Sequence, residues 1–316
     1  MDATPPPEVS VVIPVYGSAG ILPSLVQRLD AVLADAAHGH EVILVHDCGP
    51  DDAWAVIVGL ARTRAWLRGL DLRRNAGQHN AVMAGLGQAS GDYVVTMDDD
   101  LQHDPGDIPR VLDRLRSGAD LVYVQFESRQ HALWKRLGSW FNDMVARWLL
   151  KKPRGLYLSP FRGMSAAIKR EVLRYEGPFV YIDGLLLQST GNIATIEAPH
   201  HARSDGRSGY SLRKSISLWL QMATSFSVMP LRLVSVAGII ASGVGFVLTI
   251  VILLESIWHP APVAGWQSLM LTVLILGGVQ LLALGVIGEY VGRALLSINR
   301  RPQYVVRDGI NLRERD

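Results

Sequence analysis

The chain has 316 residues but only one cysteine, Cys48, and its 31 lysines and arginines almost balance its 29 aspartates and glutamates. A single cysteine excludes an intramolecular disulfide and most metal sites built from cysteine. A formal net charge of +2 does not point to a polyanionic partner, so we expect no nucleic-acid binding. The N-terminal segment lacks a basic region followed by a long apolar stretch, and we therefore expect no signal peptide.

Formal charges are also missing from two long runs in the last third of the chain. Residues 233–254 and 263–288 contain no Lys, Arg, Asp or Glu. At about 1.5 Å per helical residue, the first run reaches about 33 Å, enough to cross a hydrocarbon core of about 30 Å. We therefore predict transmembrane helices at 231–257 and 264–290. A buried hairpin of a soluble protein is the alternative.

The loop between these runs has no Lys or Arg, whereas the segments on either side of the pair do. The flanking basic residues are Arg213, Lys214, Arg232, Arg293, Arg300, Arg301 and Arg307. Because basic residues concentrate on the cytoplasmic side of a membrane, both ends of the chain are predicted to be cytoplasmic.

Short apolar segments alternate with segments of helical spacing before these runs. The predicted strands are 9–15, 41–45, 67–72, 92–97 and 120–125. Repeated strand-then-helix units predict an α/β domain over residues 1–205, with a mostly parallel sheet covered by helices on both faces. Ligands of such sheets lie beyond the carboxyl ends of the strands.

Three other segments have patterns of their own. Residues 131–152 place apolar side chains at helical spacing opposite basic ones, which predicts an amphipathic helix at a membrane interface. An ordinary helix packed on the sheet is the alternative. Residues 206–230 are predicted to be a juxtamembrane segment, and 291–316 a cytoplasmic tail.

Three consecutive carboxylates, Asp98 to Asp100, directly follow the fourth predicted strand. They cannot all ionise cheaply without a cation or hydrogen-bond donors. Side chains at i and i+2 of an extended segment point the same way, so Asp98 and Asp100 address one ligand, with Gln102 after them. Oxygen ligands of this kind favour Mg²⁺ or Mn²⁺, which would bridge a diphosphate. A solvated acidic loop is the alternative.

Other polar residues end the neighbouring strands. Tyr16, Asp47 and Arg74 follow the first, second and third strands, so one shared site is predicted. Asp47 could accept from a pyrimidine N–H, or could cap a helix or an Asx turn. Arg74 could bind phosphate or lie in a solvated turn. Arg162 could likewise bind phosphate or form a structural salt bridge.

A basic segment, 203–213, precedes the first apolar run. Its arginines suit phosphate oxygens, either of lipid headgroups in general or of one particular lipid substrate.

Taken in order, these motifs resemble those of the bacterial membrane-anchored family 2 glycosyltransferases, in particular the undecaprenyl-phosphate aminoarabinose transferases and the enzymes like dolichyl-phosphate mannose synthase. The resemblance rests on VSVVIPVY, HDCGPDD, RRNAGQHNAVMAGL, VVTMDDDLQHDPGDIP, FRGMSAAIKREVL, ARSDGRSGYSLRK and GVIGEYVGR. It implies a GT-A fold and an inverting, metal-dependent transfer of a sugar from a nucleotide sugar, with UDP-sugars as the first choice, to polyprenyl phosphate. It also implies the bacterial inner membrane, contact with the lipid bilayer and a homo-oligomer, often a tetramer.

The resemblance also implies roles for individual residues. The nucleotide-binding candidates are Pro14, Val15, Tyr16, Asp47, Arg74, Gln78, Asp98 and Asp99. The candidate ligands of Mg²⁺ or Mn²⁺ are Asp98, Asp100 and Gln102. The candidates for the acceptor phosphate are Arg162, Arg203, Arg207, Ser208 and Tyr210. If a catalytic base is needed, the candidates are Asp99 and Asp183.

The chain departs from the family pattern at several positions. Gly17-Ser18 stand where the family usually has Asn-Glu or Asn-Ser, and His46 replaces the first Asp of the usual Asp-Asp pair. No Asp precedes Phe161. A phosphate acceptor is largely dianionic at neutral pH and needs alignment more than deprotonation, so the missing Asp costs little.

Two other functions fit parts of this pattern. A processive polysaccharide synthase would share the catalytic domain, but this chain has no Gln-x-x-Arg-Trp motif and too few apolar runs to enclose a sugar chain. A non-catalytic membrane scaffold that kept the fold is the other alternative.

Overall fold

The computed structural model describes residues 6–126, 152–153, 155–198, 229–258, 265–299 and 301–313. The predicted interfacial helix at 131–152, except for its last residue, and most of the juxtamembrane segment at 206–230 lie outside these residues. Two compact units make up the chain, Met1–Gly209 with Arg300–Asp316, and Tyr210–Asn299.

The first unit is an α/β domain with one eight-stranded sheet. Its strands are β1 (Val9–Val15), β2 (His40–His46), β3 (Leu67–Leu72), β4 (Tyr93–Thr96), β5 (Leu121–Phe126), β6 (Arg162–Ser165), β7 (Ile193–Ala198) and β8 (Val306–Ile310). Its helices are α1 (Leu22–Ala36), α2 (Ala53–Ala61), α3 (Gln78–Leu86), α4 (Ile108–Arg116), α5 (Ala166–Leu173) and α6 (Ile182–Ser189). The five predicted strands are confirmed to within two residues at each end.

The strand order is β7-β5-β6-β4-β1-β2-β3-β8. The pairs β1–β2, β2–β3, β1–β4 and β5–β7 are parallel, whereas β6 and β8 run antiparallel to their neighbours. The sheet is therefore mostly parallel, as predicted. The chain reverses its order of strand addition at β1, which lies between β4 and β2, and this is the position where open α/β sheets bind ligands.

Helices cover both faces of the sheet, as the continuous apolar character of β1 and β2 requires. Val11 and Ile13 of β1 face one core cluster with Leu25 and Leu29 of α1. On the opposite face α3 lies so close to the sheet that a Cβ on Gly85 would come within 2.3 Å of Val12. This packing holds the start of α3 next to the carboxyl ends of β1 and β2.

The end of the chain corrects one part of the predicted domain division. Residues 291–316 are a cytoplasmic tail in the sequence-based prediction, but β8 pairs antiparallel with β3 and forms one edge of the eight-stranded sheet. The hydrophobic pattern does not reveal this strand because its residues are mostly exposed.

The second unit contains α7 (Met229–Trp258) and α8 (Trp266–Ile298), at the positions predicted for the two membrane helices. In the described part of the chain, Ile275–Ile298 is long and apolar enough to cross a membrane, and Val234–Val247 is a shorter apolar stretch. Helix α8 continues to Ile298, past residue 290 where the prediction ends it. Within this extension Arg293 pairs with Glu289 one turn earlier, with 2.8 Å between Nε and Oε1, which supports the helix locally.

Candidate active site

A pocket of about 330 Å³ opens at the carboxyl ends of β1 to β4. Its lining residues are Pro14, Val15, Tyr16, Asp47, Asn75, Gly77, Gln78, Asp98, Asp99 and Asp100. Most of the nucleotide-binding and metal candidates therefore meet in one place, although they come from four separate segments. Such a volume suits a small polar ligand.

Asn75 and Gly77 line the pocket but were not among the candidates, whereas the candidates Arg74 and Gln102 lie outside the lining. The position of Asn75 just after β3 is the signal that could have found it. Arg74 is exposed beside the pocket.

Among the carboxylates that line the pocket, Asp98 has the most strongly raised pKa. Burial raises its pKa to about 7, with the negative charges of Asp100 and Asp99 acting in the same direction and Arg162 opposing them. The side-chain amide of Gln78 donates to its Oδ1 at 2.5 Å. A cation bound near Asp98, or a proton on its carboxylate, would therefore be favoured at this site.

Asp99 bonds to the loop after β1, whereas Asp98 bonds to Gln78. Its Oδ2 accepts from the Ser18 hydroxyl and, at 3.2 Å, from the Tyr16 N–H. Burial raises its pKa, and these donors work against that rise. Asp99 thus ties the loop after β1 to the end of β4, so this oxygen is already engaged in a way that favours a structural role.

Asp47 connects the ends of β2 and β3. It is 3% exposed, and its two carboxylate oxygens accept from the N–H groups of Ala76 and Gly77 at 2.6 and 2.9 Å. Burial raises its pKa, although both bonds lower it again. Gly77, with φ +86°, directly precedes α3 in a conformation that favours glycine. Asp47 therefore fixes the loop that lines one side of the pocket.

Two non-glycine residues beside the pocket have left-handed backbone. Cys48 follows Asp47 with φ 51°, and Leu101 follows Asp100 with φ 57°. Such residues hold a small amount of strain, which the surrounding structure must offset. Both turn the chain sharply just after a pocket carboxylate.

Arg162 and Asp183 form a buried ion pair beneath the pocket. Arg162 is 3% exposed, and its Nη1 donates to Asp183 Oδ1, which also accepts from the Tyr123 hydroxyl at 2.9 Å. The Arg162 Nε donates to Thr96 Oγ1 at 3.2 Å. Burial alone would lower the pKa of Arg162, but Asp183 raises it above its usual value.

The structure therefore favours the structural alternative for Arg162, which is enclosed by its partners. Asp183 is likewise held in place at the first turn of α6. His79, on the first turn of α3, lies near this pair and contacts the Tyr181 ring edge-on at 5.1 Å between centroids. Burial lowers the pKa of His79 to about 4, so its ring is neutral near pH 7.

The remaining acceptor candidates, Arg203, Arg207, Ser208 and Tyr210, lie outside the described residues. No group of three His, Cys, Asp or Glu residues arranged to hold a metal ion occurs within the part of the chain that the structure covers. A cation held by fewer protein side chains in this pocket would need further ligands from its substrate or from water.

Comparison with known proteins identifies the chain as a glycosyltransferase with a GT-A fold. The family model "Glycosyl transferase family 2" matches residues 10–175. The chain belongs to this family.

Named relatives match over nearly the whole chain. One is the undecaprenyl-phosphate 4-deoxy-4-formamido-L-arabinose transferase of Aeromonas hydrophila, 33% identical over 308 residues, covering 94% of this chain and 92% of the relative. The enzyme of the same name from Serratia proteamaculans is 33% identical over 302 residues, covering 95% and 93%.

Solved structures agree on the fold. Glucosyl-3-phosphoglycerate synthase from Mycobacterium tuberculosis, in complex with Mn²⁺, UDP and phosphoglyceric acid, matches with a TM-score of 0.51 and 19% identity. The match covers 69% of this chain and 76% of that one. The same synthase with UDP alone has a TM-score of 0.50 at 20% identity, covering 70% and 79%.

Proposed function

We propose that this glycosyltransferase moves one sugar from a UDP-sugar to undecaprenyl phosphate at the cytoplasmic face of a bacterial inner membrane. The observation that carries the proposal is the pocket where Asp98 and Asp100 meet the loops after β1, β2 and β3. The names of relatives that match over nearly the whole chain support the acceptor. The complexes of the synthase with UDP support the donor class.

The pocket fits a divalent cation. Asp98 is partly buried beside two further carboxylates, which raises its pKa to about 7, and too little positive charge lies near it for it to ionise easily. We propose that Asp98 and Asp100 would hold Mg²⁺ or Mn²⁺, with Gln102 as a further candidate nearby. Mg²⁺ sites commonly use one or two carboxylates and complete the shell with substrate phosphates and water, which agrees with the small number of protein ligands here. When bound, the cation would supply positive charge to the donor's diphosphate.

The chemistry needs little from the protein beyond positioning. An oxygen of the acceptor phosphate attacks the anomeric carbon, while the bond from that carbon to the diphosphate oxygen breaks and its electrons leave with the nucleoside diphosphate. Attack from the opposite face inverts the anomeric configuration. The acceptor is largely dianionic at neutral pH, so no base is required. Asp99 and Asp183 then act as positioning residues, because each already accepts two hydrogen bonds on one oxygen.

We further propose that α7 and α8 both cross the bilayer, with both ends of the chain cytoplasmic. Ile275–Ile298 has the length and composition of a spanning segment, and side chains on α8 such as Leu281 and Leu284 are 72% and 63% exposed. A lipid-facing helix has this character. The residues with basic charge flank the pair of helices, and the loop between them has none. Assembly as a tetramer stays a prediction.

The experiment uses the full chain in detergent with undecaprenyl phosphate, Mn²⁺ and a panel of UDP- and GDP-sugars. Mass spectrometry is expected to find one lipid-linked monosaccharide. Asp100→Asn is expected to remove at least about 99% of the product, because removing one charge-stabilising group in an active site commonly costs about a hundredfold or more in rate.

Asp113→Asn is the matched control, since its side chain is 73% exposed on α4. It is expected to keep full activity. A polymeric product without a lipid-linked monosaccharide would favour a processive synthase and refute the proposal. Full activity of Asp100→Asn would refute the metal role.

A further inference from the structure

A chain of hydrogen bonds links the C-terminal strand to the loop after β2. Arg307 of β8 donates from Nε to Asp71 Oδ2 on β3, and Asp71 Oδ1 lies 2.7 Å from His46 Nδ1 at the end of β2. On the other side of the ring, Nε2 accepts from the Gly49 N–H at 3.0 Å. Residues more than 230 positions apart are thus connected through two side chains.

The contacts determine which nitrogen of His46 carries the proton. A backbone N–H can only donate, so Nε2 must be the acceptor and Nδ1 must be the donor to Asp71. The ring is 4% exposed and stacks on Trp54, with 6.5 Å between centroids and 23° between planes. His46 is therefore held in one tautomer and one orientation.

Asp71 needs both of its partners. It is fully buried, and a buried carboxylate is costly unless it is paired and hydrogen-bonded. Arg307 supplies the positive charge from the edge of the sheet, where its side chain is 47% exposed. Without Arg307, the buried carboxylate of Asp71 would keep only the imidazole as a partner, so Asp71 and the ring that it holds would shift towards a new partner or water. A shift of the ring would move Nε2 away from the Gly49 N–H, so the loop would lose its anchor.

Gly49 carries this effect to the pocket. A Cβ at Gly49 would lie only 2.9 Å from the backbone N of Gly17, so the loops after β1 and β2 touch at this point. Tyr16, the residue before Gly17, and Asp47, two residues before Gly49, line the pocket. A shift of Gly49 would therefore move the loops after β1 and β2, which carry Tyr16 and Asp47 of the pocket lining.

We propose that Arg307, Asp71 and His46 form a positioning chain through which the C-terminal strand sets the shape of the nucleotide pocket. The inference rests on the proposed use of a nucleotide-sugar donor. It assigns a role in donor binding to a strand that follows the second apolar helix in the sequence. These three residues do not touch the donor and act through the Gly49 loop.

The test measures nucleotide binding and turnover separately in the full chain in detergent. The probes are UDP and GDP with Mn²⁺, measured by calorimetry, together with kcat and donor KM. Arg307→Gln is expected to raise Kd and KM about tenfold, the size of one interaction of about 1.4 kcal/mol, and to leave kcat within about twofold. Arg307→Lys, which keeps the charge, is expected to recover most of the affinity.

Asp71→Asn provides the second arm. If both residues act through one chain, the double variant Arg307→Gln/Asp71→Asn binds no more weakly than the weaker single variant, because coupled residues are not additive. Arg313→Gln is the matched control, since it removes the same charge from an exposed side chain of the same C-terminal segment. Thermal unfolding of every variant establishes the folded fraction used to calculate each Kd.

Unchanged Kd in Arg307→Gln would overturn the inference while leaving the proposed function in place. So would fully additive effects, or a fall in kcat with unchanged KM. If the wild-type chain binds neither nucleotide, the proposed function fails, and the inference fails with it.

Discussion

Removing the Asp183 carboxylate is expected to lower the free energy of unfolding, and the size of that loss distinguishes a structural role of Asp183 from a role as catalytic base. Asp183→Ala leaves Arg162, which is 3% exposed, without its counterion and the Tyr123 hydroxyl without its acceptor. Breaking a buried ion pair from one side costs about 3–5 kcal/mol. For a domain of this size that corresponds to a fall in melting temperature of about 10 °C.

A catalytic base behaves differently. If Asp183 were a catalytic base, Asp183→Asn would abolish kcat and leave the melting temperature almost unchanged, because the amide keeps the size of the carboxylate. We expect instead that Asp183→Asn lowers the melting temperature, and that the remaining activity follows the folded fraction.

The assay is thermal unfolding of the full chain followed by tryptophan fluorescence. The double variant Arg162→Met/Asp183→Leu is expected to recover most of the loss, since apolar side chains can replace a buried ion pair at little cost. Glu171→Gln is the control, because it breaks an exposed pair with Arg174 and is expected to change stability by less than about 0.5 kcal/mol. A single-variant loss below about 1 kcal/mol would refute the argument that Asp183 is a structural partner.

Two further predictions concern the pocket. The pKa of Asp98 is about 7 in the folded protein, above the ordinary 3.8. Protonation of Asp98 therefore favours the folded state, and this contribution to stability is lost as the pH rises from about 4 to 7. A cation that binds Asp98 must displace the same proton. Calorimetry with UDP present is therefore expected to find Mn²⁺ affinity falling about tenfold per pH unit below pH 7, and a flat profile would contradict this. Asp47→Ala leaves the N–H groups of Ala76 and Gly77 without their acceptor. It is expected to weaken UDP binding about tenfold and to lower the free energy of unfolding by about 1–3 kcal/mol. Asp52→Ala, at an exposed position, is the control. Unaltered UDP affinity in Asp47→Ala would show that the loop is held by other contacts.

Several features of the site could be predicted from local pattern. Apolar runs followed by polar residues located β1, β2 and β4 and the residues after them, including Asp47 and Asp98. Parallel strands bring their carboxyl ends to one edge, so predicting the strands was enough to predict that these side chains share a pocket. The lining of the pocket agrees with that expectation.

Hydrogen-bond partners could not be predicted in the same way. Asp99 bonds to residues 81 and 83 positions earlier, and Arg162 bonds to an aspartate 21 positions later. Whether a carboxylate faces the ligand or a neighbouring loop depends on strand register and on the path of loops that local periodicity does not describe. This is why the sequence alone could not separate a structural role for Asp99 and Asp183 from a catalytic one.

The amino-acid sequence by itself determined the α/β alternation, the order of the motifs and the two long uncharged segments, because these depend on hydrophobic periodicity and on residues close together in the chain. Only the tertiary structure decided that β8 returns to the sheet beside β3 and that Arg307 meets Asp71 and, through it, His46. Contacts of this kind arise when distant segments lose entropy together and bury charges in complementary pairs, and no local pattern encodes which segments will meet.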